Sequence, residues 1–189
     1  VMPAVNRSFY TDMAHGPRYW SFVSEELPDV MEMYFPLSKT REGRFAAGLS
    51  MGGYGAMKLG LRLPDRYAAV ASLSGPLMMH QSYQYPEIAP ARQELNDIFG
   101  GEQGLRGDEN NLALLAKRIA PADAPRIYAA CGTADFLFDA NEAFMARFGK
   151  KLQIDYHTEE GAAHTWDFWD RQIEKVLAWL PLTRLDNGR

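Results

Sequence analysis

Residues 44–60 read RFAAGLSMGGYGAMKLG, an apolar run that passes through a serine into a stretch holding Gly52, Gly53 and Gly55. Each glycine inside a helix costs about 1 kcal/mol relative to alanine, so three in a first turn need a reason. RFAAGLS (44–50) is short and apolar, which predicts a buried strand. A helix is predicted from about Met51 to Leu63, stopped by Pro64. Gly48-Leu49-Ser50-Met51-Gly52 is therefore G-x-S-x-G at a strand-to-helix turn, the context in which that motif presents a nucleophile. Glycines without Cβ tolerate the sharp geometry and let the helix lie close to the strands. The helix N-terminus favours negative charge beside Ser50, and the Met51 N–H can meet a developing oxyanion. A glycine-rich helix start would equally suit a phosphate, so the serine needs partners before it counts as catalytic.

The rest of the chain alternates in the same way. VMPAVNRSFY (1–10) reads as an opening strand entered partway. RYWSFVSEELPDVMEMYF (18–35) sets Trp20, Val23, Leu27, Val30 and Tyr34 at helical spacing, with a bend at Pro28. YAAVASLSG (67–75) is a second buried strand, closed by Ser74-Gly75-Pro76. RIYAACG (126–132) and LQIDYHT (152–158) are further strands, and DANEAFMARFG (139–149) and TWDFWDRQIEKVLAWL (165–180) are helices. In the last helix Trp166, Trp169, Ile173, Val176 or Leu177, and Leu180 form an apolar stripe. Such alternation predicts one α/β domain over residues 1–189, with a mainly parallel sheet flanked by helices and function at the C-terminal strand ends. Residues 77–124, with Tyr83, Tyr85, Pro86, Pro90 and a helix near NLALLAKRIA, break the rhythm and read as a cap-like excursion.

Composition narrows the classes. The 189 residues carry a formal charge of −4 without long runs of one sign, so neither a nucleic-acid surface nor a polybasic membrane anchor is expected. No apolar run reaches the roughly 18 residues of a membrane span. The single cysteine, Cys131, excludes an internal disulfide framework and a cysteine-rich zinc site. Cytoplasmic placement is the expectation, with secretion as the alternative. Partners reduce to a small-molecule substrate and, at most, further copies of the chain; no organic cofactor or metal is expected.

A serine hydroxyl needs a base, and the base needs an orienting acid. His164 lies in a loop between the last strand and the last helix, on the same sheet edge as Ser50. His157 falls inside a strand, His80 in the excursion and His15 in MAHGPRY, all poorer positions. Asp135 follows the strand RIYAA within CGTADFLFD, again on that edge. Asp139 competes, but reads as an acid in a first helical turn. The order Ser50, Asp135, His164 is the α/β-hydrolase order. Activity should then rise with pH as an imidazole base loses its proton. Tyr10, Tyr54, Phe136 and Trp166 are candidates for an acyl pocket whose default role is core packing.

GLSMGGYGA, CGTADFLF and HTWDFWDRQI together resemble the esterase D branch of the α/β-hydrolases, above all its tributyrin esterase-like members. The branch also holds S-formylglutathione hydrolases, acetylxylan and feruloyl esterases, and mycolyltransferases. The resemblance extends through RSFYTD and VSEELPDVM and covers nearly the whole chain. It implies Ser50 as nucleophile, His164 as base and Asp135 as orienting acid, in a serine carboxylesterase acting on small, short-acyl esters through an acyl-enzyme. Where many members carry an acid after the histidine, this chain has Thr165.

Three alternatives stay open: an acyltransferase of the same fold, a non-catalytic binding module, and a metal hydrolase built on DYHTEEGAAH. The last lacks an H-E-x-x-H helix. An absence also matters. In the family, a second oxyanion N–H comes from a loop after an earlier strand, which normally lies inside the sheet beside the one leading to Ser50. His15-Gly16 occupies the wrong connection. The expectation is a C-terminal portion of a longer protein, barely active alone, since one lost oxyanion donor costs roughly 2.7–4 kcal/mol of barrier stabilisation.

Overall fold

The computed structural model describes residues 1–84 and 91–182. Four strands, β1 (Phe45–Leu49), β2 (Ala69–Leu73), β3 (Arg126–Gly132) and β4 (Asp155–Glu159), form one parallel sheet in the order β1-β2-β3-β4. Because all run the same way, the turns that leave Leu49, Leu73, Gly132 and Glu159 share one rim. The helices are α1 (Tyr19–Ser21), α2 (Leu27–Tyr34), α3 (Met51–Arg62), α4 (Arg92–Phe99), α5 (Glu102–Arg106), α6 (Leu112–Arg118), α7 (Phe138–Leu152) and α8 (Trp166–Trp179).

Alternation along the central strands builds a core on each face of the sheet. Val70 and Ile127 join Tyr54, Met57, Leu112 and Phe144 on one side. Ala71, Leu73, Tyr128 and Ala130 join Phe168, Trp169 and Val176 on the other. The described part of residues 77–124 is not peripheral. Leu77, Ile98, Leu105 and Leu112 are fully buried in the larger core. Tyr85, Pro86 and Pro90 lie outside the described residues.

One buried hub ties these segments together. The Lys58 ammonium donates to Tyr10 O at 2.9 Å, Thr11 Oγ1 at 3.0 Å and Asn110 Oδ1 at 2.8 Å. Tyr54 Oη donates to Asn110 O at 2.6 Å. Helix α3 thereby holds the N-terminal segment and the residues before α6 in one network.

Several expectations are corrected. Residues 1–5 form no strand, and residues 6–10 form turns, with Asn6, Phe9 and Tyr10 all at positive φ. Among the described residues, no strand pairs with residues 1–10. β1 is not fully buried: its residues are half-exposed, and Ala47 is exposed, because its outer edge pairs with no described strand. A groove of about 440 Å³ runs beside that edge, lined by Val1, Pro3, Met31, Leu37, Phe45 and Ala47 among others. The helix over 18–35 is continuous but passes through a π-helical stretch, Phe22–Glu26, just before Pro28. The widened turn rotates the remainder of the helix, so Val30 and Tyr34 are exposed while Leu27 and Met31 turn inward. β4 begins later than expected because α7 runs to Leu152 and Gln153 ends it in the left-handed region at φ 51°. Trp166 and Leu177 leave the stripe of α8, which instead buries Phe168, Trp169, Gln172 and Val176.

Candidate active site

Ser50 sits between β1 and α3 with φ 50° and ψ −121°, a conformation a residue with a Cβ rarely adopts. Such strain costs of order 1–3 kcal/mol and persists where the surroundings over-determine it. Here the Ser50 N–H donates to Leu73 O at 2.8 Å, and Ser50 O accepts from Tyr54 N at 3.2 Å. The flanking glycines therefore serve close approach, since the positive φ belongs to the serine itself. A Cβ on Gly48 would lie 2.4 Å from the Gly52 carbonyl carbon, and one on Gly55 would lie 2.4 Å from the Tyr10 ring.

The Ser50 side chain does not cap α3. It turns to His164, whose Nε2 lies 2.9 Å from Ser50 Oγ. His164 Nδ1 lies 2.8 Å from Asp135 Oδ2. With the Nδ1–H tautomer that such a carboxylate selects, Nε2 is left free to accept the serine proton. Asp135 is buried, and its other oxygen accepts from Leu137 N at 2.9 Å. The three residues named from the sequence thus meet at one place.

The loops holding acid and base brace each other. Thr133 N donates to Glu159 O, Ala134 N to Ala162 O, and Gly161 N to Thr133 Oγ1. A Cβ on Gly132 would lie 2.1 Å from Ala162 O, so that residue must be glycine for the loops to meet. The Trp169 ring and the imidazole meet edge to face, with centroids 4.8 Å apart and planes at 88°. Trp169 Nε1–H donates to Ser74 Oγ at 3.1 Å. The sequence marks Trp169 only as part of a stripe and Ser74 only as part of a turn. A tryptophan five residues after a loop histidine is the available hint.

Asp139, His157 and His15 each have another place. Asp139 lies in the first turn of α7. His157 pairs with Asp155 at 2.8 Å and stacks on Tyr128. The His15 N–H donates to Asp97 O. Cys131 is buried beside the site, and burial first, then the nearby Asp135 charge, pushes its thiol up to about 12, which keeps it inert. Of the four aromatic candidates, Tyr54 is fully buried and Tyr10 packs against α3, whereas Phe136 and Trp166 are exposed. Among the described residues, no group of three or more His, Cys, Asp or Glu side chains is arranged to hold a metal. In DYHTEEGAAH, Glu159 instead pairs with Arg171 and His164 with Asp135. No described helix is long and apolar enough to cross a membrane.

At the start of α3, the N–H groups of Met51, Gly52 and Gly53 precede the first intrahelical bond, which runs from Tyr54 N to Ser50 O. They leave donors, and the positive end of the helix, beside Ser50 Oγ. A serine oxygen, a base that can take its proton, an acid that orients the base and free N–H groups alongside are the parts that acyl transfer requires.

The Esterase family model matches residues 4–180. An acetyl esterase of Caldicellulosiruptor saccharolyticus is 30% identical over 187 residues, covering 95% of this chain and 70% of that protein. Among solved structures, a substrate-bound fluorophosphonate-binding serine hydrolase of Staphylococcus aureus superposes with a TM-score of 0.81 at 28% identity, covering 95% of this chain and 69% of its own. An S-formylglutathione hydrolase of the same organism gives 0.75 at 30% identity, covering 95% and 70%.

Proposed function

Since the chain belongs to the esterase family, an α/β-hydrolase lineage of serine hydrolases acting on ester bonds, we propose that it hydrolyses small, short-acyl carboxylic esters through an acyl-enzyme on Ser50. The observation that carries this reading is the continuous relay from Ser50 Oγ to His164 Nε2 and from His164 Nδ1 to Asp135.

Ser50 Oγ–H donates to Nε2 and loses its proton there as the oxygen adds to the ester carbonyl. Asp135 keeps Nδ1 protonated and stabilises the imidazolium. The carbonyl oxygen becomes an oxyanion, which the Met51 N–H meets at the positive end of α3. The tetrahedral intermediate collapses, the C–O bond to the alcohol breaks, and Nε2–H protonates the departing oxygen. Water then repeats the sequence on the acyl-serine, with His164 again taking and returning a proton.

The functional test is a series of 4-nitrophenyl esters from acetate to octanoate, assayed with wild type and Ser50→Ala. Acetate and butyrate should be the better substrates, and Ser50→Ala should lose several orders of magnitude in turnover with its fold retained. Ordinary activity in that variant would end the proposal.

A further inference from the structure

Two large aromatic side chains beside the site remain in water. Phe136 is 77% exposed and Trp166 is 66% exposed, although both belong to segments otherwise held firmly. The Phe136 ring packs on the His164 imidazole at 4.6 Å and 46°. It directly follows Asp135, in a turn fixed by bonds from Leu137 N to Asp135 Oδ1 and from Phe138 N to Asp135 O. Trp166 meets Trp169 edge-on at 5.4 Å and 84°, and Trp169 itself packs on His164. Both exposed rings are therefore held within one or two ring contacts of the base.

Their position bears on one half of the substrate. Whatever ester is bound, the alcohol oxygen must come within about 2.6–3.2 Å of His164 Nε2 to take its proton. The carbon skeleton attached to that oxygen then lies against the side chains that rim the imidazole. The solvent-facing ring touching the imidazole is Phe136, with Trp166 extending the aromatic surface by way of Trp169. Water gains nothing from such rings, whereas a planar apolar group gains both burial and ring–ring contact.

We propose that Phe136 and Trp166 form the subsite for the alcohol portion of the ester, and that this subsite favours a planar ring such as a benzyl group. The proposal rests on the esterase reading above and deepens it by naming the leaving-group class. Phe136 is the primary contact and Trp166 the secondary one. The acyl side is left to other walls of the site.

Benzyl acetate and ethyl acetate share an acyl group and have alcohols of similar acidity, so their ratio of kcat/KM reports contact with the alcohol. Wild type should prefer benzyl acetate by about tenfold, mostly through KM. Phe136→Ala should cut the ratio about fivefold, Trp166→Ala about twofold, and Phe136→Tyr should retain it. If Phe136 only braces His164, both esters fall together and the ratio stays unchanged, which overturns the proposal. A second readout needs no turnover. In the Ser50→Ala protein, benzyl acetate should blue-shift the tryptophan emission, and adding Trp166→Ala should abolish that shift. No shift with benzyl acetate also overturns the proposal. Loss of the esterase reading would look different: fluorophosphonate would fail to label Ser50 while the benzyl-dependent shift persisted.

Discussion

Asp135 and Asp139 lie four positions apart in one turn-rich stretch, yet only one of them touches the histidine. Asp135 bonds His164 Nδ1 at 2.8 Å and is buried, whereas Asp139 sits in the first turn of α7. Asp135→Asn should therefore select the wrong imidazole tautomer and reduce kcat by about 10³–10⁴. Asp139→Asn should leave kcat within a factor of about two, and equal losses at the two positions would contradict this assignment. The distinction was legible in the sequence, because a strand end and a helix start make different demands on an acid. Lys58 was not legible: nothing in GAMKLG marks its lysine as the buried centre of a network. Burial first, and then the Arg62 charge, lowers its ammonium to about 7, although Glu109 and Asp12 oppose the shift. Since the folded value lies below the ordinary 10.5, the unfolded chain binds more protons between about pH 7 and 10.5. This group's contribution to stability should rise with pH across that window and reach its minimum below it. Denaturant titrations of wild type and Lys58→Met at about pH 7 and about pH 10 should show a gap that widens in favour of wild type at the higher pH. A constant gap would show that Lys58 does not change protonation there.

Helix α3 shows how an element can look wrong by propensity and right by packing. Its glycines place its backbone against Gly48 and its side against Tyr10, contacts a Cβ would prevent. Gly149 in α7 is different, for a Cβ there would meet Met145 at an ordinary 3.8 Å. Gly55→Ala should thus destabilise the protein by about 1–3 kcal/mol through overpacking, while Gly149→Ala should stabilise it by about 0.5–1 kcal/mol. Thermal melts of the two variants read opposite signs, and a stabilised Gly55→Ala would refute the close approach. Element types were legible wherever period and punctuation agreed, as at Pro64 after α3. The face of α2 was not, because the π-helical stretch before Pro28 shifts the register by a step that no 3.6-residue period contains. Reading residues 1–10 as a strand failed for another reason: residues 6–10 turn, with Asn6, Phe9 and Tyr10 at positive φ, which extended backbone does not contain.

The parallel sheet explains why three residues spread over more than a hundred positions could be named together. Each lies just past the C-terminal end of a strand, at β1, β3 and β4, and a parallel sheet brings those ends to one rim. The side chains that brace the base, Trp169 and Ser74, emerged only in three dimensions. The central claim is that Ser50 itself carries the acyl group. Mass spectrometry of peptides from chain quenched in acid during turnover of 4-nitrophenyl acetate tests it most directly. An acetyl group on the peptide holding Ser50, absent from Ser50→Ala and accumulating in a burst, is the predicted result. Acetate released in turnover with no acetylated peptide, or with the acetyl group at another residue, would contradict the account.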